Sequence, residues 1–423
     1  MRILVVGSGG REHAICWAIS SSPLLTKLFC APGNAGIEHE AECISIAADD
    51  YDALIVFCID KAIDFVVIGP EGPLVDGLVD KLGNVGIKSF GPTAAAAVLE
   101  GSKVFAKDFC IRHNIPTAAY ARFDKAETAK AYISEKSLPI VIKTDGLAAG
   151  KGVFIAETIT QAMEIVDRIM IDRVFGESGK EIIIEECMIG QEVSFFALTD
   201  GEFVLPMITA QDYKRVGNGN TGPNTGGMGA CSPAPIIDDF LTTKIVSEII
   251  NPTIAGMAAE GRRFRGVLYA GLMITDTGPK VIEYNVRFGD PECQALLLLL
   301  KSDFLSALIA INDGKITNVR LKWNDDIALC VVMASKGYPD FYEKNSVINS
   351  ISEIENDDVV IFHAGTSWDR ERRLLATGGR VLGITAIGKD ITQARKKVYS
   401  AINRIDWPEG FNRNDIAESA LNL

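Results

Sequence analysis

Residues 281–292, VIEYNVRFGDPE, join an alternating strand pattern to a turn rich in carboxylates. Successive side chains of a strand point to opposite faces, so Val281, Glu283, Asn285 and Arg287 are expected to share one face. The residues at 282, 284 and 286 are apolar and are expected to pack. Oxygen atoms of Glu and Asn at this spacing suit a hard cation such as Mg²⁺, and a neighbouring arginine suits phosphate. An edge strand with a solvated polar face explains E-x-N-x-R equally well, but the added carboxylates of the turn favour a site.

The composition is that of a globular protein with several domains. A chain of 423 residues is too long for one ordinary core, so we expect about three domains. The net charge is −13 and no cluster of Lys and Arg stands out, which argues against nucleic acid or an anionic membrane as partner. Nine cysteines occur singly, which predicts reduced thiols in a cytoplasmic protein rather than disulfides or zinc. Apolar runs such as 295–300 are too short to cross a membrane, and we expect no signal peptide at the start of the chain.

Residues 1–92 alternate short apolar runs with helical segments, which predicts a doubly wound parallel sheet. Ligands of such sheets lie beyond the carboxyl ends of the strands. Strands are predicted at 2–6, 27–30, 65–68 and 87–90, with a helix over 12–20. The segments that follow these strands are GSGGREH (7–13), PGNAG (32–36), GPEGP (69–73) and GPT (91–93).

The first of these turns only partly matches a dinucleotide-binding fingerprint. Glu12 replaces the third glycine of G-x-G-x-x-G, and no acidic residue ends the second strand. A glycine turn that opens a helix presents N–H groups to an anion, and Arg11 adds positive charge. We predict a phosphate site for a monophosphate substrate, with a purely structural turn as the alternative. An NAD-dependent oxidoreductase is the competing functional hypothesis.

Lysines around a glycine-rich loop predict contacts with nucleotide phosphates. A helix predicted over 94–111 carries Lys103 and Lys107 one turn apart, although each fits a solvated surface equally well. A strand that ends in Lys143 leads into a loop of glycines and lysine at 144–152, and a second strand follows. The strand–loop–strand order distinguishes this loop from a P-loop, which runs into a helix. A flexible hairpin tip is the alternative.

Two later segments have the composition of cleft-lining loops. The apolar strand 181–186 leads through a connector to GQEVSFF (190–196), and a linker between two lobes can bind adenine and a ribose hydroxyl through its backbone and a carboxylate. The stretch 218–229 contains five glycines and follows QDYKR (211–215), which predicts an ordered active-site loop.

The last third of the chain predicts a return to regular structure. A long helix over 241–259 and a strand over 267–274 lead back to the opening motif. Beyond residue 326, the pattern predicts a small α+β domain with little titratable chemistry of its own. Its predicted features are strands at 327–333 and 359–363, a Gly-Gly-Arg turn at 378–380 and a helix over 391–405.

Seven motifs in this order resemble the phosphoribosylamine–glycine ligase (glycinamide ribonucleotide synthetase) family of ATP-grasp enzymes in purine biosynthesis. The resemblance is colinear and spans nearly the full chain. The motifs are GSGGREH, GPEGPLV, FGPTAAAAVLEGSK, KTDGLAAGKGV, QDYKRV, GPNTGGMG and IEYNVRFGDPE.

The resemblance implies an α/β protein with three parts. An N-terminal doubly wound parallel sheet domain would span 1–102, a two-lobed ATP-grasp domain 103–325 with a small lid lobe at about 117–190, and a C-terminal α+β domain 326–423. It further implies a cytoplasmic enzyme, monomeric or weakly dimeric, that joins glycine to 5-phosphoribosylamine. ATP would be consumed through a glycyl-phosphate intermediate, giving glycinamide ribonucleotide, ADP and phosphate.

The resemblance also implies a role for each matching residue. ATP would be held by Lys103, Lys143, Gly146, Gly150, Lys151, Gly152, Glu185, Glu186, Met188 and Glu192. The metal ligands for Mg²⁺ or Mn²⁺ would be Glu283 and Asn285. The catalytic residues would be Arg287, Asp212, Lys214 and Asp290. The substrates would lie against Gly9, Gly10, Arg11, Asn34, Glu71 and Glu292.

The chain departs from the family pattern at a few positions. Tyr213 stands where many relatives have His, and Cys293 where many have Thr. The strand 267–273 lacks the second acid that other ATP-grasp branches carry, so the metal should depend more on nucleotide phosphates. A nucleotide-binding regulatory protein without chemistry is a third hypothesis, but the intact trio at 283, 285 and 287 argues against it.

Overall fold

The computed structural model describes residues 1–148, 151–351, 354 and 358–422. Among these residues, no helix is long and apolar enough to cross a membrane. The strands are β1 Arg2–Gly7, β2 Lys27–Pro32, β3 Glu42–Cys43, β4 Phe65–Ile68, β5 Lys88–Phe90, β6 Tyr120–Phe123, β7 Ile140–Thr144, β8 Val153–Ala156, β9 Ile182–Glu186, β10 Gln191–Thr199, β11 Val204–Pro206, β12 Gln211–Asp212, β13 Arg215–Gly217, β14 Thr221–Asn224, β15 Gly229–Ser232, β16 Gly266–Thr275, β17 Gly278–Asn285, β18 Ile327–Ser335, β19 Ser346–Ile348, β20 Val359–His363, β21 Thr366–Trp368, β22 Leu374–Ala376, β23 Arg380–Gly388 and β24 Gly410–Phe411. The helices are α1 Gly10–Ser20, α2 Tyr51–Asp60, α3 Glu71–Val75, α4 Leu78–Asn84, α5 Ala94–Gly101, α6 Lys103–Arg112, α7 Ala126–Ser134, α8 Ile159–Val166, α9 Asp239–Ile245, α10 Asn251–Ala259, α11 Glu292–Leu299, α12 Phe304–Asn312 and α13 Ile391–Ile402.

The N-terminal sheet is parallel throughout, with strand order β3-β2-β1-β4-β5. The four predicted strands are confirmed, and the two-residue strand β3 was not predicted. The strand order reverses between β1 and β4, so the segments after Gly7 and Ile68 meet at a topological switch point, where open α/β sheets bind ligands. The predicted doubly wound fold is confirmed.

A separate small lobe follows, built on an antiparallel sheet in the order β6-β9-β7-β8. Helices α7 and α8 cover one face of this sheet and share with it an apolar core that contains Ile142, Ile184 and Val166. The loop between β7 and β8 lies at one end of this lobe. The strand–loop–strand arrangement predicted around Lys143 is confirmed.

The large lobe contains the antiparallel sheet β11-β10-β16-β17, and its last strand carries the opening motif. A bulge interrupts the pairing there, because Gly271 lies opposite Glu283 but Leu272 lies opposite Val281. Val281 is therefore turned into the core, and Ile282 becomes the extra residue. The predicted placement of Val281 on the polar face and of Ile282 on the packed face is wrong for this reason.

The C-terminal sheet has the order β12-β15-β18-β23-β20, with β24 added beside β18. Strands β12 and β15 adjoin the glycine-rich stretch 218–229 on either side and lie far before residue 326, whereas β13 and β14 pair only with each other. The C-terminal sheet therefore includes the two strands that adjoin the glycine-rich stretch, which were expected to be separate from it.

The helix predicted over 94–111 is broken in the structure. Ser102 adopts extended φ and ψ angles of −138° and 115° and ends α5. Its hydroxyl accepts a hydrogen bond from the backbone N–H of Phe105 at 3.0 Å, so Ser102 caps α6. Lys103 thus begins a new helix that has its own direction. The long helix predicted over 241–259 is present as α9 and α10 joined by a wider turn.

Candidate active site

The carboxylate of Glu283 is half-buried and faces a cluster of positive charges. Burial by itself would raise the pKa of this carboxyl group, but the charges of Lys214, Lys143, Lys103 and Arg287 outweigh burial and hold the pKa below its ordinary value. Within the described part of the chain, no hydrogen-bond donor contacts this carboxylate. A charged oxygen pair that is ionised and uncommitted is suited to a metal ion.

Asn285 lies two residues further along β17 and is only 8% exposed. The residue opposite Glu283 on β16 is Gly271, so the neighbouring strand adds no carboxylate there. Among the described residues, no group of three or more His, Cys, Asp and Glu side chains is arranged to hold a metal ion. One carboxylate and one amide fit a cation that completes its shell with phosphate and water.

Three buried charged side chains, those of Lys107, Lys143 and Glu185, lie behind strand β17 and link the two lobes. The carboxylate of Glu185 forms ion pairs with the ammonium groups of Lys107 at 3.1 Å and Lys143 at 2.9 Å. Lys143 also donates to the backbone carbonyl of Ile282 at 3.2 Å. Burial would raise the pKa of Glu185, but the two lysines lower it below the ordinary value. The side chain of Glu185 therefore orients Lys143, whereas a backbone contact with adenine was the predicted role.

The glycine-rich loop is anchored at its base. Asp145 accepts hydrogen bonds from the hydroxyl of Ser102 and the N–H of Val104, both at 3.1 Å. Lys103 donates to the carbonyl of Gly146 at 2.7 Å, and burial lowers the pKa of its ammonium group. Gly146 adopts a φ of +77°, which favours glycine.

The two described residues after the gap at 149–150, Lys151 and Gly152, differ in exposure. Lys151 is exposed, and its N–H donates to the carbonyl of Ala148 at 2.9 Å. Gly152 lies so close to Thr144 that a Cβ atom would approach the threonine hydroxyl to 2.2 Å. The predicted ATP contact at Gly150 lies outside the described residues.

The predicted adenine hinge connects β9 to β10, and so joins the small lobe to the large lobe. Glu186 is exposed, and its carboxylate accepts from the N–H of Ala119 at 3.0 Å. Met188 is half-buried in the connector. Glu192, just beyond it, forms an ion pair of 2.9 Å with Lys214. Glu192 and Lys214, predicted to contact the ribose and the reacting groups respectively, therefore lie side by side.

Arg287, two residues beyond the end of strand β17, connects this strand to the N-terminal domain. Its guanidinium lies 3.1 Å from Glu71, at the switch point, and 3.1 Å from Glu100 at the end of α5. Glu100 also accepts from the N–H of Val286 at 2.7 Å. Glu100 is a site residue that the sequence reasoning missed. Its position just before Gly101 and Lys103, within a motif already singled out, was the available signal.

These two carboxyl groups titrate differently although they share Arg287. Burial would raise the pKa of Glu71, but Arg287 and Arg11 lower it to about 2. Burial dominates at Glu100 and raises its pKa to about 7, against the opposing charge of Arg287. Ionised Glu71 therefore holds Arg287 throughout the neutral range, and Glu100 gains charge only near neutral pH.

Carboxylates occupy the glycine turn before α1. The N–H of Gly9 donates to Glu12 at 2.6 Å, and the N–H of Arg11 lies 3.4 Å from Asp290. The guanidinium of Arg11 is buried and donates to Glu12 at 2.6 Å and to the carbonyl of Phe288 at 3.2 Å. The expectation that this turn has free N–H groups is therefore wrong for Gly9 and Arg11, whereas the N–H of Gly10 has no acceptor among the described residues. Phosphate contacts at Gly9, Gly10 and Arg11 stay a prediction, and those at the N–H groups of Gly9 and Arg11 would displace these carboxylates.

Asn34 uses all of its hydrogen-bonding capacity within the protein. Its amide N–H groups donate to the carbonyls of Ser8 at 2.9 Å and His363 at 2.8 Å. Its oxygen accepts from the N–H groups of Gly36 and Ile37, both at 3.0 Å. The side chain ties the N-terminal domain to the C-terminal domain, and a substrate contact of Asn34 stays a prediction.

Asp212, which is half-buried, and Glu292, which is buried, form an acidic pair. Burial and the charge of Glu292 raise the pKa of Asp212 well above its ordinary value. One oxygen of Asp212 is buried without a hydrogen-bond partner among the described residues. Glu292 is fixed by the hydroxyl of Ser194, which donates to it at 2.9 Å, and Ser194 in turn contacts the hydroxyl of Tyr269 at 2.8 Å. Glu292 is therefore held in place by its hydrogen bond, whereas one oxygen of Asp212 has no partner among the described residues.

Arg380 brings the C-terminal domain into the site, which corrects the prediction of little titratable chemistry there. It donates to the carbonyl of Gly226 at 2.9 Å and to that of Asp290 at 2.6 Å. The carboxylate of Asp290 accepts from Gln294 at 2.9 Å. Burial would raise the pKa of Asp290, but Arg380 and Arg11 lower it. The Gly-Gly-Arg turn at 378–380 was visible in the sequence, but its partners were not.

A small antiparallel lobe beside strand β17, with lysines from both lobes and a glycine-rich loop between β7 and β8, is the arrangement of an ATP-grasp protein. The sequence profiles of three domains match this chain: the phosphoribosylglycinamide synthetase N domain over residues 1–100, the ATP-grasp (A) domain over 101–293 and the C domain over 328–419. The chain belongs to the phosphoribosylglycinamide synthetase family.

Individual relatives agree with this assignment. A phosphoribosylamine–glycine ligase of Mesorhizobium japonicum is 53% identical over 421 residues and covers 100% of this chain and 99% of its own. A chloroplastic phosphoribosylamine–glycine ligase of Arabidopsis thaliana is 52% identical and covers 97% of this chain and 79% of its own.

Solved structures support the fold. The crystal structure of a phosphoribosylamine–glycine ligase from Thermotoga maritima has a TM-score of 0.87 at 33% identity and covers 99% of this chain and 100% of its own. A biotin carboxylase domain of Hydrogenobacter thermophilus, in complex with MgADP, has a TM-score of 0.76 at 14% identity and covers 97% of this chain and 91% of its own. The second likeness concerns the fold alone.

Proposed function

We propose that this chain joins glycine to 5-phosphoribosylamine at the expense of ATP, giving glycinamide ribonucleotide, ADP and phosphate. The observation that supports it most is the uncommitted, ionised carboxylate of Glu283, which faces Lys103, Lys143 and Lys214. Family membership supports the choice of substrates.

The first step activates glycine. A carboxylate is a poor electrophile, so its oxygen attacks the γ-phosphate of ATP to form glycyl phosphate and release ADP. Lys103, Lys143 and Arg287 neutralise the phosphate charge, and the hinge at Glu186–Met188 with Glu192 holds the nucleoside. Mg²⁺ or Mn²⁺ held by Glu283 and Asn285 would supply further charge neutralisation on the terminal phosphates. The loop over 146–152 excludes water from the acyl phosphate.

The second step forms the amide. The amine of phosphoribosylamine attacks the acyl carbon, and phosphate leaves. We assign Asp212, Lys214, Asp290 and Glu292 to the surroundings of glycine and the amine, and Glu71 to the sugar end. The unpartnered oxygen of Asp212 and the fixed carboxylate of Glu292 support this assignment, because an ammonium group satisfies both. Catalysis then consists mainly of positioning and charge neutralisation.

We also propose that the enzyme acts in the cytoplasm as a monomer or weak homodimer. All nine cysteines are free thiols, which suits a reducing compartment. Sedimentation at micromolar concentration tests the oligomeric state.

A coupled assay of ADP release tests the function. We expect ADP to appear only when glycine, 5-phosphoribosylamine and MgATP are all present. Release of ADP without the amine, or no release with all three, contradicts the proposal. The competing hypothesis of an NAD-dependent oxidoreductase is disfavoured because the N–H of Gly9 already donates a hydrogen bond to Glu12. If the hypothesis is wrong, adding the protein to NADH should not enhance the fluorescence of NADH.

A further inference from the structure

A second cleft lies away from the residues of the proposed reaction. It has a volume of about 550 Å³, within the range of small-molecule sites. Its walls come from α4 and β5 of the N-terminal domain, from the start of β16 and from the end of α12. None of its described lining residues belongs to the predicted site. Clefts between domains are preferred positions for ligands.

The cleft combines an apolar floor with a basic rim. Val79 and Ile87 line the cleft, are half-buried and contribute apolar surface, with the buried Phe90 and Ile311 packed behind them. Lys88, Arg263 and Arg265 also line the cleft. Lys88 forms an ion pair of 2.7 Å with Asp313 and Arg263 one of 3.3 Å with Glu202, whereas Arg265 has no carboxylate partner among the described residues.

The two arginines keep donors for a ligand. In the described structure, Arg263 donates one N–H to Glu202 at 3.3 Å, and Arg265 donates one to the backbone carbonyl of Asp200 at 3.1 Å. Each guanidinium carries five N–H groups in a fork that matches phosphate or carboxylate. The two existing contacts hold the forks at the rim and leave most donors available.

The inner wall of the cleft is a close backbone contact. A Cβ atom on Gly266 would lie 3.4 Å from the Cα atom of Gly91, so the N-terminal domain and the large lobe meet there. The chain beyond Gly91 enters α5, which carries Glu100. The chain beyond Gly266 continues along β16, which pairs with β17, the strand of Glu283 and Asn285. A ligand in the cleft therefore touches both domains at the base of the elements that hold the site.

We propose that this cleft binds a small anion built from an apolar ring and a phosphate group. The ring covers the apolar surface of Val79 and Ile87, and the phosphate accepts hydrogen bonds from Arg263 and Arg265. Neither part alone matches the cleft, because the floor offers no charge and the exposed rim by itself is screened by solvent.

Phenyl phosphate is a suitable probe, measured by titration calorimetry on the full chain with saturating MgADP in the nucleotide site. We expect saturable binding to the wild-type protein, and binding at least about tenfold weaker for inorganic phosphate and for phenol. Arg263→Ala and Arg265→Ala should each weaken the binding of phenyl phosphate on the order of tenfold, because each removes a hydrogen bond to a charged group.

A space-filling variant tests the same site without changing charge. No atom lies within 4 Å of a Cβ placed on Gly83, which lines the cleft, so Gly83→Trp fills the space and should abolish binding. The matched control is Arg370→Ala, which removes an exposed arginine elsewhere and should leave binding unchanged. ADP release by each variant checks that it is folded. No saturable binding to the wild type, equal binding of inorganic phosphate, or binding that survives Gly83→Trp and both arginine variants overturns the proposal.

Discussion

Replacing Glu100 by Gln should separate the charge of this residue from its shape. Glu100 is 9% exposed, lies 3.1 Å from the guanidinium of Arg287 and accepts from the N–H of Val286 at 2.7 Å. Glutamine keeps an oxygen for Val286 but loses the negative charge beside Arg287. The substitution therefore tests whether ionised Glu100 holds Arg287 in its working position.

The pKa of Glu100, about 7, determines how the effect of Glu100→Gln on activity depends on pH. Below pH 6 Glu100 is protonated, so wild type and Glu100→Gln should have similar activity. Above pH 8 the wild type has a second charged partner for Arg287, and the variant should be slower by about 10- to 100-fold, from roughly 1.5–3 kcal/mol for a hydrogen bond to a charged group.

The contribution of Glu100 to the free energy of unfolding should decrease as pH rises, whereas its contribution to activity should increase. Because the pKa of Glu100 is higher in the folded state than in the unfolded chain, its favourable contribution is complete below about pH 4.5 and is lost as pH rises through 7. The loss amounts to about 3–4 kcal/mol, because each unit of difference in pKa between the folded and unfolded states corresponds to about 1.4 kcal/mol. Glu100→Gln should abolish this part of the pH dependence.

The measurement is a pH–rate profile from ADP release, with denaturant unfolding over the same pH range. The control is Glu38→Gln, which removes an exposed carboxylate paired with Arg372 at 3.3 Å and should change neither curve. An ionisation near pH 7 that persists unchanged in Glu100→Gln would refute the assignment.

Three further substitutions test the rest of the site. Glu283→Gln should lower turnover on the order of 10²-fold or more, because it removes the only charged metal ligand proposed; ADP release at saturating Mg²⁺ measures this. Glu185→Gln should destabilise the protein by about 3–5 kcal/mol in denaturant unfolding and raise KM for ATP, because Lys143 loses its buried partner. Arg380→Ala should lower kcat/KM about tenfold, because the loop carbonyl of Gly226 loses a charged donor; steady-state kinetics with glycine and the amine measure this.

Matched controls separate these effects from general damage. Asp276→Asn removes a charge at the exposed turn of the same hairpin as Glu283 and should retain full activity. Glu177→Gln removes an exposed carboxylate from the same lobe as Glu185 and should leave stability nearly unchanged. Arg372→Ala is the exposed counterpart of Arg380→Ala. Wild-type turnover in Glu283→Gln, unaltered unfolding in Glu185→Gln, or unaltered kcat/KM in Arg380→Ala would each contradict the corresponding role.

Much of the fold could be predicted because its signals are local. The apolar runs of the N-terminal domain matched parallel strands, since a strand covered on both faces must be apolar at nearly every position. The break at Ser102 was missed because an alanine-rich helix and a capped pair of helices have the same periodicity. Strands β12 and β15, which adjoin the glycine-rich stretch, are only two and four residues long, so their place in the C-terminal sheet had no periodic signal.

The candidate site divides in the same way. Alternation within β17 predicted that Glu283 and Asn285 share a surface, but the bulge at Ile282 depends on pairing with β16, so the position of Val281 was mispredicted. Asn34 has the residue type of a ligand, yet its partner His363 lies 329 residues away in sequence. Residue type alone does not show whether a polar side chain is already satisfied.

The sequence by itself determined the chemistry available: which strand carries a carboxylate and an amide, which loop closes on phosphates and which turns carry carboxylates. These features depend on spacings of a few residues, over which backbone geometry is predictable. Only the tertiary structure decided which charges meet, because Glu100 and Arg287, or Arg380 and Asp290, are brought together by packing of separate domains. Burial then sets the pKa of each group, and burial is a property of the whole fold.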